Sequence, residues 1–365
     1  MRFGDSESQR LLRDTARSYL AEHFPWERLY ALESENGRLT DEELQGFAEM
    51  GWFGLLTPET AGGAGLSLLE AATVIEEFGH AAVPAPVASH NVAAAVLASA
   101  PAPDAPAEHI AGAASGRRIY TIAEATRRRG RPAAAERPLS ASGGTLSGTL
   151  PLVPFAGVAR SVLAPLRVDG EPAFAAVSLD GARLEPAQLM DRSGYAHAHF
   201  EDTALGSSAV LATGEAAEAL HERCDALATA FALIELAGMM QRILEMTTEY
   251  VSHRVQFGQP IAKFQAVRHR AAELLTQTET TRWAAYHALW RFQENPADTD
   301  EIWLTKHWAI RAVDRVYQVS HLLHGGVGVG MEYPLHLFTQ GIAAFAARDG
   351  TMSEMVDRTV ASVVL

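Results

Sequence analysis

The sequence predicts an α+β protein in three parts: an N-terminal α-helical domain over 1–113, a middle antiparallel β-barrel domain over 114–213, and a C-terminal four-helix bundle over 214–365. Three observations carry this. Apolar residues recur at helical spacing in the first third, and short apolar runs alternate with glycine-bearing turns in the middle. Long helical patterns, stopped only by proline, asparagine or glycine, fill the rest. A chain of 365 residues exceeds what a single core usually organises, so several domains are expected.

In the first part, Leu11, Leu12, Ala16, Tyr19 and Leu20 share a helix face, as do Leu44, Phe47, Met50 and Leu55. Thr40 followed by Asp41, Glu42 and Glu43 marks a helix start, where a capping hydroxyl and acids meet the positive end of the dipole. Ala61-Gly62-Gly63-Ala64-Gly65 interrupts the pattern before it resumes over 68–78. In the middle part, runs at 119–122, 161–164 and 174–177 are separated by Gly143-Gly144, Asp169-Gly170 and Asp180-Gly181, the punctuation of hairpins. The basic run Arg127–Arg131 reads as a solvated loop, with an anion contact as the alternative. The last part offers helices over 222–253, 262–294, 299–323, 334–346 and 351–364. Within it, 230–251 is apolar almost all round, from Phe231 through Ile234, Met239, Met240, Ile243 and Val251. Such a helix must be covered on several sides, which points to a second subunit.

Composition narrows the function. The net charge of −14 repels phosphate backbones and anionic lipid surfaces, disfavouring nucleic acid and membrane partners. A phosphorylated small molecule stays compatible, because helix dipoles and single arginines bind phosphate locally. A lone cysteine, Cys224, precludes an internal disulfide or a cysteine-ligated metal cluster, and with a polar start over 1–10 it implies a reduced, cytoplasmic setting. The apolar stretch 81–103 is broken by His90, Asn91 and prolines, which argues against a membrane span.

Several motifs fail on their context. Gly326-x-Gly328-x-Gly330 needs a preceding strand to cradle a dinucleotide, and the residues before it read as helix. Glu77-x-x-His80 is half of a di-iron pattern without a partner half, and His221 with Cys224 supplies too few ligands, so no metal is expected. Cys224 beside Asp225 reads as a small buried hydrophobe rather than a nucleophile.

Two segments remain: Tyr250-Val-Ser-His-Arg254-Val-Gln-Phe257-Gly258-Gln-Pro-Ile261 running on to Phe264-Gln265, and His324-Gly325-Gly326-Val-Gly328 with Glu332-Tyr333-Pro334-Leu335 and Asp349-Gly350-Thr351. Together with Leu56-Thr57-Pro58-Glu59, Gly62-Gly63-Ala64-Gly65 and Glu76-Glu77-Phe78-Gly79, they resemble the signature segments of the acyl-CoA dehydrogenase family. The resemblance runs over nearly the whole chain and is weakest in the middle part.

It implies FAD held at a subunit interface, an acyl-CoA substrate, a homo- or hetero-oligomer with a related subunit, and a flavoprotein electron acceptor. Arg254 would grip the flavin pyrophosphate of the neighbouring subunit, a task that suits a rigid fork of donors. The bland alternative is an ordinary cation at a helix end. Phe257 would pack on the same cofactor, Gln265 and Thr351 would add contacts, and Gly325 and Gly326 would let backbone approach it. Asp349 stands where the family usually has the glutamate that takes the α-proton. It retracts the carboxylate by one methylene, and a misplacement of about 1 Å can cost about 10²-fold in rate. Arg348 beside it favours the ionised form and lowers its basicity, and a structural ion pair is the alternative role. The family's flavin loop falls at Thr121–Thr126. Its Trp-x-Thr is replaced by Leu152-Val153-Pro154, with Phe155 as a substitute stacking residue, and Leu322 stands where a glutamine commonly holds the adenine half. Two functions follow as expectations. One is an FAD-dependent enzyme that desaturates an acyl-CoA between Cα and Cβ, including a form adapted to an unusual acyl group. The other is a non-catalytic partner that completes the flavin site of an intact subunit, as in heteromers acting on steroid side chains.

Overall fold

A computed structural model describes residues 4–100, 107–123, 139–206 and 209–347. The chain forms two compact units, and the helices of the first third contribute to both. One unit draws on residues up to Tyr30, Ala72–Val83 and those from Thr229 onward; the other on Ala31–Ala71 and Pro84–Ala228.

The second unit holds α3 (Asp41–Glu49), α5 (Val87–Ser99), α6 (Ala107–Ala114) and an eight-stranded sheet. Thr40 caps α3 as expected, taking the Glu43 amide while the Glu43 carboxylate reaches back to the Thr40 amide. His90 and Asn91, which interrupt the apolar run, serve backbone groups inside α5. Asn91 bonds the carbonyls of Trp52 and Val87 and the amide of Leu56. His90 accepts from the Tyr120 amide and bonds the Ala113 carbonyl, and burial pushes it down to about 4, keeping it neutral.

The strands are β1 (Tyr120–Ile122), β2 (Leu139–Ser142), β3 (Thr145–Val153), β4 (Ser161–Val168), β5 (Glu171–Ser178), β6 (Arg183–Pro186), β7 (Ala196–Ala204) and β8 (Val210–Thr213). They run in the order β6-β7-β3-β2-β4-β5-β8, with β1 also on β4. Turns fall where the glycine-bearing dipeptides stand: Gly143 and Gly144, and Asp169 and Gly170, all have positive φ, the geometry of tight hairpins. The sheet is not wholly antiparallel. Both β1 and β2 lie parallel to β4, sharing one edge of it end to end. Alternating apolar runs report that a strand exists, whereas its direction depends on connections that local pattern does not encode.

The first unit contains α1 (Glu7–His23), most of α4 (Leu68–Ala81), the greater part of α7 (Gly214–His253), α8 (Gln265–Glu294), α9 (Asp300–His324) and α10 (Leu335–Ala347). The expected helix over 351–364 lies outside the described residues. α7 passes the length and composition test for a membrane span, yet 67% of its apolar window is buried. Phe231, Ile234, Met240, Ile243 and Val251 are buried within the single chain and need no second subunit to cover them, while Met239 is half-buried. Two glycines explain how: a Cβ at Gly79 would stand 2.0 Å from the Glu235 carbonyl, and one at Gly238 equally close to that of Glu76. α4 therefore packs backbone against backbone on α7.

Buried charges lock this packing. Glu76 bonds Arg282, Arg13 and Tyr286, while Glu77 bonds Arg13 and Arg17. Burial raises the Glu76 carboxyl, and its hydrogen bond with Arg282, the charges of Arg282 and Arg13, and Tyr286 outweigh it, leaving it below the usual range. His80 bonds Glu245 at 2.8 Å. Arginine thus occupies the Glu77-x-x-His80 pattern, and no group able to hold a metal occurs among the described residues.

Candidate functional site

The site grows from the exit of α7. After His253 the chain makes a minimal hairpin, β9 (Val255–Gln256) against β10 (Gln259–Pro260), with Phe257-Gly258 as its two-residue loop. Both loop residues have positive φ, +53° and +79°, as a primed turn requires. Glycine adopts this freely, whereas phenylalanine is strained there by about 1–3 kcal/mol. Its side chain is 90% exposed, and among the described residues its ring contact is with Phe264, edge-on at a centroid distance of 6.0 Å. A strained, solvent-facing aromatic at a hairpin tip gains little burial from the described residues.

Arg254 stands at the hairpin's base. The Ile261 amide donates to its carbonyl at 2.8 Å, which fixes the backbone. The guanidinium is exposed and has no hydrogen bond or ion pair among the described residues. It therefore differs from Arg13, Arg17 and Arg282, each of which is tied to a glutamate. The hairpin leads through a 3₁₀ turn (Ile261–Lys263) into α8, which begins at exposed Gln265 without a side-chain cap. Its first amides and positive dipole end are left open for an anion.

Gly325 and Gly326 follow α9 in a 3₁₀ turn rather than a strand, as the dismissal of a dinucleotide loop required. Gly325 has φ +58° and ψ −140°, a conformation only glycine takes easily. Gly326 has ordinary backbone, and a Cβ there would meet no atom of the described residues within 4 Å. Nothing in the packing of the described residues demands glycine at 326. His324 joins the two segments. Its ring stacks on Tyr250 at 4.7 Å and its Nε2 is 3.3 Å from the Tyr333 hydroxyl, so Arg254 and the glycine pair lie at one end of the bundle.

That end carries a cleft of about 640 Å³. Arg254, Glu249, Tyr250, Trp26, Tyr30, Glu332 and Tyr333 are among its walls. Sequence reading missed most of these as site residues. Tyr250, Glu332 and Tyr333 stood within the quoted motifs, while Trp26 and Tyr30 carried no signal, because α2 (Trp26–Ser34) reaches the cleft only through the fold.

Asp349, Thr351 and Arg348 lie outside the described residues. In the other unit, Thr121 on β1 is fully buried, and its hydroxyl has no hydrogen-bond partner among the described residues. Leu152 and Phe155 both have positive φ, at a register shift where β3 leaves β7. Strain and a bulge of this sort re-aim side chains. Leu152, Val153, Pro154 and Phe155 nonetheless present no side-chain hydrogen-bond donor. The bundle end thus presents an exposed arginine, an uncapped helix start and a glycine pair, whereas Leu152–Phe155 present only apolar side chains. Leu322 is 64% exposed on α9 and has no polar group to offer.

Comparison with known proteins identifies the family. Family models for the acyl-CoA dehydrogenase N-terminal and C-terminal domains match residues 6–117 and 227–365. The acyl-CoA dehydrogenase FadE28 of Mycobacterium tuberculosis is 27% identical over 342 residues, spanning 93% of this chain and 92% of that protein. FadE27 of the same organism is 30% identical over 298 residues, 77% of each chain. The crystal structure of the ChsE4–ChsE5 complex, also from M. tuberculosis, superposes with a TM-score of 0.88 at 26% identity, covering 100% of this chain and 99% of the other. With both domain models in register and similarity running from end to end, this chain belongs to the acyl-CoA dehydrogenase family, oxidoreductases acting on CH–CH groups.

Proposed function

We propose that the chain is a subunit of an FAD-dependent acyl-CoA dehydrogenase and completes a flavin site on an adjacent subunit. One observation carries this reading: Arg254, with no side-chain partner among the described residues, and a strained, 90% exposed Phe257 share one hairpin. In the assembly Arg254 would hold the pyrophosphate, Phe257 would cover the cofactor, and Gln265 with the open end of α8 would add donors. Gly325 and Gly326 would leave room for close approach, and Thr351 is proposed as a further contact. Bound flavin supplies a hydride acceptor for the substrate β-carbon.

On the protein side, the reaction needs a carboxylate that removes the α-proton of the acyl-CoA thioester in a water-poor pocket. Asp349 is the proposed base. A flavoprotein electron acceptor and a cytoplasmic setting belong to the same reading. A second reading, a partner with no turnover of its own, is favoured by the donor-free Leu152–Phe155 segment and by similarity to a complex of two chains. Purification of the full chain alone and with a co-expressed related subunit distinguishes the two readings. Stoichiometric FAD and bleaching by an acyl-CoA in the chain alone establish the enzyme, with Asp349→Asn ending the bleaching while FAD stays bound. A colourless chain that yields yellow protein only with a partner establishes the second. In either assembly Arg254→Ala should weaken FAD retention by about tenfold to a hundredfold, measured as released flavin on dilution. Unchanged retention would remove the hairpin from the cofactor site.

A further inference from the structure

Glu235, on α7, is a carboxylate that the charge network of the helical unit leaves out. Glu76 and Glu77 are held by Arg13, Arg17 and Arg282, and Glu245 by His80. Glu235 has no hydrogen bond or ion pair among the described residues. Its neighbours one turn away on α7, Phe231, Ala232, Gly238 and Met239, carry no charge. On α10, Leu335–Ala347 contains no Asp, Glu, Lys or Arg. With no counter-charge to oppose it, burial raises the carboxyl to about 7.

The geometry gives this acid a place to act. Ala232, Glu235 and Met239 follow one another at three- and four-residue steps, so they share one face of α7, which runs roughly 10 Å along the helix. All three are half-buried, whereas Phe231, Ile234, Leu236 and Met240 around them are buried. A Cβ at Gly79 of α4 would stand 3.0 Å from the Glu235 Cα, and one at Gly341 of α10 would stand 2.6 Å from the Met239 Sδ. Both helices therefore approach this face closely. Glu235 is enclosed by protein and yet keeps accessible surface, two conditions met together by a group that lines an inner groove. Apart from Glu235 the strip is apolar. It suits a ligand with an apolar body and one hydrogen-bond donor. A hydroxyl fits better than an ammonium, because its desolvation among aliphatic groups costs far less. A plain hydrocarbon would leave the acid desolvated and unbonded.

We propose that Glu235 is a specificity-determining residue for the acyl-CoA: it selects acyl groups that carry a hydroxyl on an otherwise apolar body and accepts that hydrogen bond within the groove. This rests on the acyl-CoA reading of the chain and narrows its substrate class. An acid kept without a partner destabilises the free chain, and a bound hydroxyl offsets that loss.

The test is equilibrium binding of acyl-CoA thioesters to the flavin-loaded protein, prepared alone and with its co-expressed related subunit, by calorimetry in the Asp349→Asn background so that no desaturation accompanies binding. Hexanoyl-, octanoyl- and decanoyl-CoA are each compared with the ω-hydroxy counterpart. In at least one pair the hydroxylated thioester should bind about tenfold more tightly. Glu235→Leu should reverse that order, and Glu235→Gln, which keeps an acceptor, should retain part of the preference. Glu235→Leu should also raise the urea midpoint, since the stranded acid is gone, which separates a lost preference from lost folding. Equal affinity within every pair, or a preference unchanged by Glu235→Leu, overturns the proposal and leaves the acyl-CoA reading intact. If neither series binds while flavin is held, the acyl-CoA reading of this chain falls together with the proposal.

Discussion

Replacing Arg282 by methionine should expose how the charged layer under α7 works. Glu76, on α4, is only 3% exposed, and its carboxylate takes two hydrogen bonds from Arg282 besides those from Arg13 and Tyr286 at 2.8 Å. Methionine fills similar volume and removes the cation. Breaking a buried pair costs about 3–5 kcal/mol because the remaining charge is stranded. Arg13 and Tyr286 stay on Glu76, which places Arg282→Met near the lower end, about 3 kcal/mol. At a urea slope of about 3 kcal/mol/M, the midpoint should fall by about 1 M. Tryptophan fluorescence is a suitable probe, since Trp26, Trp283, Trp290, Trp303 and Trp308 all lie in the unit that contains this layer.

The deficit should also depend on pH. In the wild type Glu76 titrates below its unfolded value, so it contributes stability above that value and loses it on acidification. Without Arg282 the desolvation that raises it is opposed less, so the variant loses less as pH falls toward 4 and the curves converge. Adding Glu76→Gln to Arg282→Met should recover most of the loss, since no buried charge is then stranded. A midpoint shift below about 0.2 M, or one equal at pH 7 and pH 4, would refute the stranded-charge account.

Other consequences can be measured as directly. Phe257→Asn, better suited to positive φ, should raise stability by about 0.5–1 kcal/mol in urea while lowering FAD retention, as expected where strain serves binding. Burial raises the Glu245 carboxyl, but His80, Gln241 and Arg242 depress it to about 2, so its stabilising share is present above about pH 4.5 and lost as pH falls through 2. His80→Gln should therefore move the acid-unfolding midpoint upward; Glu245 is partly exposed, so the shift is modest. Cys224 is fully buried and its thiol is pushed well above the ordinary range, so a thiol reagent should label it only at the rate of unfolding in denaturant.

Much of this protein is legible in local sequence. Helix spacing, the Thr40 capping box, the Gly143-Gly144 and Asp169-Gly170 turns, and the stops near 260, 295 and 325 depend on contacts within a few residues and appear where the pattern places them, except that α3 ends at Glu49 and leaves Leu55 outside the helix. The motif from Tyr250 to Gln265 is likewise a continuous stretch, so Arg254 and Phe257 could be named without coordinates. What the sequence left open depends on residues far apart in the chain. The parallel pairing of β1 and β2 with β4 is set by connections. The self-sufficient burial of α7 needed Gly79 to meet Glu235, and the cleft needed Trp26 and Tyr30 to meet a helix end more than 200 residues away. Local pattern records which face of an element is apolar. Only tertiary packing decides what covers that face, and which charges it leaves unpaired for a ligand.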